Sequence, residues 1–408
     1  MNFLLVILSA SPILLTSLRH KDNFNRLFSL LSFCFTMAFY GLPLAYAGES
    51  GRISYLGQSA LFHEADRNDA LVALFIFSCG FLLSDLTIRN DIKESINEFR
   101  ESNKHIAAII VIIDIITCYY VNTSNYYEIS SEIRSYGSGG NHLTSTIILC
   151  VYYINCFLLI ISLSRHNYKM AFIWFSFALF LVLSFGGRFQ VAIVLLIPIM
   201  HFARRPIIPI IIGIVGAIVL FPLLLEGKSI IAAISTGQSV SEAVRIAYTS
   251  GLDIEKVLNN FSHPFISYFY APSLVDEIGY RYFWDIPQGF LFYLRLFGID
   301  FGDSLTYFNT ELIIRKRESI IPPGYLAFGY IQANYIGVFF TGMIFRFSGR
   351  AAEFVKSQIR GRLWAADFYL AFIAANTFYI GEVRGLVLTF IFPCALMYLI
   401  IKLEEKKY

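Results

Sequence analysis

The sequence predicts an all-α polytopic integral membrane protein with about eleven transmembrane helices and one large, partly helical external loop. Three observations predict it. Hydrophobic residues make up 56% of the 408 and charged residues only 15%, and the mean hydropathy is +0.61, well outside the range of soluble domains. Apolar runs of bilayer-spanning length, about 20 residues, recur along the chain. Lysine and arginine are distributed unevenly between alternate connections, as membrane topology requires.

The runs fall near residues 2–18, 27–47, 70–88, 106–121, 143–163, 170–185, 189–203, 206–225, 325–345, 364–380 and 385–401. The first lacks a basic leader, and Arg19, Lys21 and Arg26 follow it instead. It therefore reads as a retained helix with its N-terminus outside. With spans alternating from there, the C-terminus is cytoplasmic and 19 of the 32 cationic residues lie in cytoplasmic segments. The short outside segments carry only Arg52, Arg67, Arg134, Arg188 and Arg384, and the rest sit in one long outside segment, which the charge rule exempts. The organisation that follows is an N-terminal transmembrane bundle over 1–225, a large loop domain over 226–325, and C-terminal transmembrane helices with a short tail over 326–408.

Within the spans, Cys34, Cys79, Cys118, Cys150, Cys156 and Cys394 have neither metal-ligand nor redox-pair spacing. They read as packing residues. Asp85 and His201 lie near cytoplasmic ends, where water is close, whereas Asp114 is deep enough to suggest pairing with a neighbouring helix. Outside, Tyr126, Tyr127 and Tyr136 precede a Gly-Ser-Gly-Gly linker, so an aromatic interface belt and a sugar-touching surface are both open readings. The net charge of +3 sits mostly on the cytoplasmic side, where it attracts anionic lipid and gives no sign of a nucleic-acid partner.

In the loop, Ser239 and Glu242 have capping-box spacing, which predicts a short helix after Ser239. A second helix is expected from Asp253, with Ile254, Val257, Leu258 and Phe261 as its apolar stripe. The stretch Trp284 to Ile299 is too short to span and reads as an interfacial helix.

Candidate chemistry gathers at two arginines. Arg188 follows Gly186 and Gly187 at the start of one span, and Arg384 follows Glu382 at the start of another. A helix N-terminus disfavours a cation but welcomes an anion, and an arginine beside it adds a planar fork matched to phosphate. The competing reading is a snorkelling arginine that caps a tight turn. No nucleotide-binding glycine motif and no Asp-x-Asp pair occurs, and Asp66/Asp69 and Asp300/Asp303 are weakly spaced metal ligands. These absences fit a metal-independent, cofactor-free reaction on a substrate activated beforehand.

The segment Ser184-Phe185-Gly186-Gly187-Arg188, the long loop, and its exit Ile320-Ile321-Pro322-Pro323-Gly324-Tyr325 running into Phe328-Gly329-Tyr330-Ile331-Gln332-Ala333-Asn334-Tyr335-Ile336-Gly337 resemble a Wzy-type polymerase of O-antigen or related oligosaccharide repeat units. The likeness covers roughly residues 170–400. It implies a bacterial inner-membrane glycosyltransferase with its loop in the periplasm, moving a growing glycan from polyprenyl pyrophosphate onto the next lipid-linked repeat unit. Its partners would be polyprenyl-pyrophosphate-linked oligosaccharides, membrane lipid and a chain-length regulator protein.

Carried onto matching positions, the resemblance makes Arg188 and Arg245 anion clamps, and Arg384 shares their geometry on a less specific motif. A general base must take the acceptor hydroxyl's proton, and the external candidates are His263, the preferred one, Glu382 and Asp276. Gly186, Gly187, Arg281, Arg315, Arg317, Tyr325 and Asn334 are the expected substrate-binding residues, although Arg315, Lys316 and Arg317 would equally contact anionic headgroups. An O-antigen ligase using the same donor is the nearest rival, and a lipid-linked oligosaccharide flippase is the rival from another class.

Overall fold

A computed structural model describes residues 2–20, 22–55, 58–87, 104–123, 142–185, 188–202, 261–291, 302–315, 321–358 and 364–405, with isolated positions 239, 241, 242, 245, 294 and 299. The described chain is helical apart from one antiparallel hairpin, Arg52–Tyr55 (β1) with Gln58–Leu61 (β2), in which Ile53 faces Ala60. The helices of its first half are α1 (Asn2–Arg19), α2 (Asn23–Thr36), α3 (Leu42–Ser50), α4 (Glu64–Thr87), α5 (Lys104–Thr123), α6 (His142–Ser164), α7 (Tyr168–Phe185) and α8 (Arg188–Phe202). A wide turn over Met37–Gly41 joins α2 to α3 without breaking the rod. Among the described residues, three helices are long and apolar enough to cross a membrane: Asn23–Ser50, Glu64–Thr87 and Val383–Ile400.

Ten of the eleven expected apolar runs fall on helices, and the run at 206–225 lies outside the described residues. The expected cap at Ser239 is present, since the Glu242 N–H donates to Ser239 Oγ at 3.3 Å. The helix expected from Asp253 lies outside the described residues. Only Asp285–Leu291 of the expected 284–299 helix is an α-helix in the described residues, and Trp284 beside it is exposed.

A polar layer ties together one end of the bundle, opposite the hairpin. Asp85 was expected near water, yet its side chain is fully buried among Arg346, His20 and Arg19 at 2.7, 2.8 and 3.1 Å. Arg346 also donates to Asn25, which in turn donates to Asp22 and Glu353. A fully buried arginine survives only when its charge is compensated, here by Asp85, so this layer sets the depth at which α1, α2, α4 and the 335–357 helix meet. Asp114 does pair across a helix interface as expected, accepting from Asn155 Nδ2 at 2.7 Å.

The second half is where the tertiary structure departs from a row of spans. It contains α9 (His263–Ile278), α10 (Asp285–Leu291), α11 (Leu305–Ile314), α12 (Gly324–Ser357), α13 (Trp364–Asn376), α14 (Val383–Leu386) and α15 (Phe392–Glu405). The run at 325–345 was expected to be one straight span, but α12 breaks at Ala333 (φ −163°, ψ 45°) and Asn334 (φ 53°, ψ −142°) and folds back on itself. The Tyr325 ring lies 5.3 Å from the Phe345 ring, whereas a straight helix would hold those Cα atoms about 30 Å apart. The two arms touch through glycines: a Cβ on Gly337 would sit 2.0 Å from the Gly329 carbonyl oxygen. At the break the Asn334 side chain accepts from the Tyr335 N–H at 2.8 Å.

The described residues of the 261–325 stretch consequently do not stand clear of the bundle. Phe265, Ile266, Tyr268, Ala271 and Leu274 of α9 are buried, mainly against α12. Tyr268 donates to Asp69 of α4 at 2.6 Å, and Tyr335 donates to the same carboxylate.

Candidate functional site

The site is a sunken elbow between α13 and α14. The 13 residues of α13 span about 20 Å, short of the roughly 30 Å of a bilayer core. The elbow they lead into sits among core aromatics: Phe378 lies 5.5 Å from Phe77 and 5.6 Å from Phe345. There the chain makes a short turn over Thr377–Tyr379, passes Gly381 at φ +62°, and extends through Glu382 before helix resumes at Val383. Two other bends close on it. Gly324 N–H donates to the Ile380 carbonyl at 3.3 Å, and Cβ atoms built on Gly324 and Gly381 would lie 2.7 Å from the Pro264 Cβ and 2.2 Å from the Gly324 carbonyl carbon. Only bare backbone lets these three strands of chain approach so closely.

Glu382 and Arg384 are each 5% exposed. Burial pushes the Glu382 carboxyl above its ordinary range; Arg384 and Ser304 work against that shift, and Asp285 adds to it. The Arg384 guanidinium carbon lies 5.9 Å from the ring centre of Tyr307 in α11. From the other side α10 closes down, because a Cβ on Gly289 would be 2.9 Å from the Arg384 nitrogen. An acid and a cation are thus held together, out of bulk water, beneath two short helices.

A second layer joins this pair through Asp285. Arg281 grips the Asp285 carboxylate at 3.0 and 3.3 Å and reaches Gln288 Oε1 at 3.1 Å. Gln332, the last residue before the break in α12, donates to Asp285 at 2.7 Å and accepts the Phe283 N–H at 2.6 Å. The break therefore supplies the amide that aims Asp285, and Asp285 aims Arg281. Sequence reading named Arg281, Glu382 and Arg384 but not Asp285, Gln288 or Gln332. The available signal was a pair of amides, Gln332 and Asn334, in an otherwise apolar run punctuated by Gly329 and Gly337.

His263 lies in an aromatic box, 5.6 Å from Tyr379 and 5.9 Å from Phe39. Burial pulls its pKa down to about 3, although a hydrogen bond to the Tyr379 backbone works the other way. The ring is therefore neutral, with a buried Nε2 that has no protein partner. Ser262 Oγ, Thr306 Oγ1, Asn309 Oδ1 and Asn376 Oδ1 are likewise buried and unpartnered. Such atoms are satisfied by water or by ligand oxygens, so the elements around the elbow form a polar interior in an apolar bundle.

The remaining expected residues are dispersed. Arg188 begins α8, and Gly186 and Gly187 before it lie outside the described residues. Arg245 and Arg315 are exposed, Arg315 capping α11 at φ 58°; Arg317 lies outside the described residues. Asp276 is exposed on α9. Tyr325 is buried in the aromatic core below the elbow, and Asn334 is half-buried at the break. Among the described residues no three His, Cys, Asp or Glu side chains gather where they could hold a metal ion. Comparison with known proteins returns no match to any family model, curated protein or solved structure.

Proposed function

We propose that this chain is a multi-pass glycosyltransferase of the inner membrane, a Wzy-type polymerase that extends a surface glycan from a polyprenyl-pyrophosphate donor. The observation that carries the proposal is the Glu382–Arg384 pair, buried at a helix start under α10 and α11 with Arg281 and Asp285 beside it. In this reading the chain has eleven spans and the 226–325 segment faces the periplasm, as the Lys and Arg asymmetry supports.

Transfer needs three things, and this arrangement has a group suited to each. The acceptor hydroxyl attacks the anomeric carbon as the bond from that carbon to the pyrophosphate oxygen breaks. The hydroxyl proton passes to Glu382, whose raised pKa makes it a stronger base than an ordinary carboxylate. The negative charge left on the pyrophosphate is taken up by Arg384, with Arg281 as the further cation beside it. Neutral His263 is too weakly basic to take the proton, but its Nε2 lone pair is suited to orienting a hydroxyl.

The experiment is a lipopolysaccharide ladder from cells carrying Glu382→Gln or Arg384→Lys, normalised to membrane abundance. Loss of the ladder with single repeat units still attached to the lipid A core supports the polymerase. Loss of every attached unit would make the protein the ligase instead, and an unchanged ladder from both variants would remove the elbow from the chemistry.

A further inference from the structure

Residues Tyr280, Tyr282 and Trp284 form an aromatic shelf beside the elbow, and its backbone is held in a costly shape. Tyr282 and Phe283 adopt φ of 47° and 63°, a left-handed region that non-glycine residues rarely occupy. The strain is held by insertion into the break of α12. Arg281 N–H donates to the Ile331 carbonyl at 3.1 Å and Tyr282 N–H to the Gln332 carbonyl at 3.0 Å, while Phe283 N–H donates to Gln332 Oε1 at 2.6 Å. A turn determined by so many bonds persists despite its strain, and strain of this kind clusters at ligand clamps.

What the turn presents is unusual for a water-facing edge. Tyr282 is 76% and Trp284 60% exposed, with Tyr280 at 37%, and the Tyr280 and Tyr282 rings are 6.2 Å apart. The alternate side chain, Arg281, turns the other way to Asp285 and Gln288. An aromatic belt anchoring the protein in headgroups would be accompanied by lysine or arginine. Among the described residues flanking the shelf in sequence, the exposed charged side chains are the carboxylates Asp276 and Glu277, which anionic headgroups repel and which accept hydrogen bonds from hydroxyl groups.

We infer that the Tyr280–Trp284 shelf is a saccharide-binding surface that stacks on the apolar face of a sugar ring of the oligosaccharide and delivers that sugar to the Glu382–Arg384 elbow. This rests on the glycosyltransferase reading and adds to it a place for the glycan, distinct from the cations that would hold pyrophosphate. Stacking supplies contact without reading every hydroxyl, while Asp276 and Glu277 on the rim accept from hydroxyls at the ring edge.

Trp284 is its own reporter, since the chain has three tryptophans and Trp174→Phe with Trp364→Phe leaves it alone. The purified full chain in nanodiscs would be titrated with oligosaccharide released by mild acid from the host strain's own polysaccharide. The expected result is a saturable change in Trp284 emission, weakened about tenfold in affinity by Tyr282→Ala. Calorimetry with the same oligosaccharide on the chain with its native tryptophans and on Tyr282→Ala repeats the comparison should the tryptophan variants fail to fold. Nanodiscs of phosphatidylcholine brominated on the acyl chains supply the opposing arm: strong quenching of Trp284 with no saccharide response would make the shelf a membrane anchor and overturn the proposal. Saccharide binding unaltered by Tyr282→Ala, with a normal polymer ladder, also overturns the shelf while sparing the polymerase reading. Saccharide binding in a strain background that makes full ladders without this protein would leave the shelf standing and remove the polymerase.

Discussion

Adding one methyl group at Gly381 tests the geometry of the elbow. A Cβ there would meet the Gly324 carbonyl carbon at 2.2 Å, its oxygen at 2.3 Å and its Cα at 2.7 Å, on a backbone with φ +62°. None of those atoms belongs to a side chain that can swing aside, so either the 321–324 bend or the elbow must move. The left-handed backbone alone costs alanine about 1–2 kcal/mol, and forced overpacking adds about 1–3 kcal/mol. Gly51 is the control, a left-handed glycine with φ 66° and ψ 15° and nothing within 4 Å of its Cβ position, so Gly51→Ala carries only the first cost. At about 2 °C per kcal/mol for a large domain, Gly51→Ala lowers the melting temperature in detergent by about 2–4 °C and Gly381→Ala by about 4–10 °C. The assay is a paired thermal shift on the purified chains, with the polymer ladder as a second readout: Gly51→Ala keeps it, whereas Gly381→Ala loses it by displacing Glu382. Equal melting shifts for the two alanines would show that the three bends do not meet as described.

Three further outcomes follow from the same geometry. Arg384→Ala removes a charge-assisted clamp and lowers the polymerisation rate about a hundredfold, roughly 3 kcal/mol, with Arg384→Lys intermediate because it keeps charge but loses the fork. Because Arg384 holds the Glu382 carboxyl down against burial, the alkaline-rising limb of the pH–rate profile also moves to higher pH in Arg384→Ala; an arginine that only caps the turn would leave that limb in place. Glu277→Cys, at an exposed position of α9, reacts with an impermeant thiol reagent in spheroplasts, and Lys169→Cys reacts only after lysis; the reverse pattern would invert the membrane topology. Ser304, just before α11, is buried and would label poorly when replaced by cysteine. At the opposite end of the bundle burial lowers the His20 pKa, but Asp22 and Asp85 outweigh it and raise it to about 9. A folded pKa above the unfolded 6.5 contributes stability that is complete below pH 6.5 and lost as pH rises toward 9, so the melting temperature falls over that window and His20→Gln flattens the slope.

Much of the local structure is dictated by composition and spacing. An apolar run cannot leave its backbone groups unpaired in lipid, so it becomes a helix wherever it occurs, and ten expected runs are helices. The cap at Ser239 and the interface partner of Asp114 follow from equally local rules. Glu382 and Arg384 were legible because charge inside apolar sequence is costly and therefore conspicuous.

Tertiary structure alone decided where those residues lie. Hydropathy records how apolar a segment is and not which way it runs, so the reversal of α12 at Ala333 and Asn334 leaves no mark in a window average. That reversal buries Gln332, and Gln332 gathers Asp285 and Arg281 from a stretch 47 residues away in sequence. The same blindness made 226–325 look like a free loop, because burial of α9 depends on the folded-back α12 that it packs against. Sequence determined that this chain is a helical membrane protein with charges it must accommodate. Which charges share a chamber was settled by two broken helices and the glycine backbones that let three bends touch.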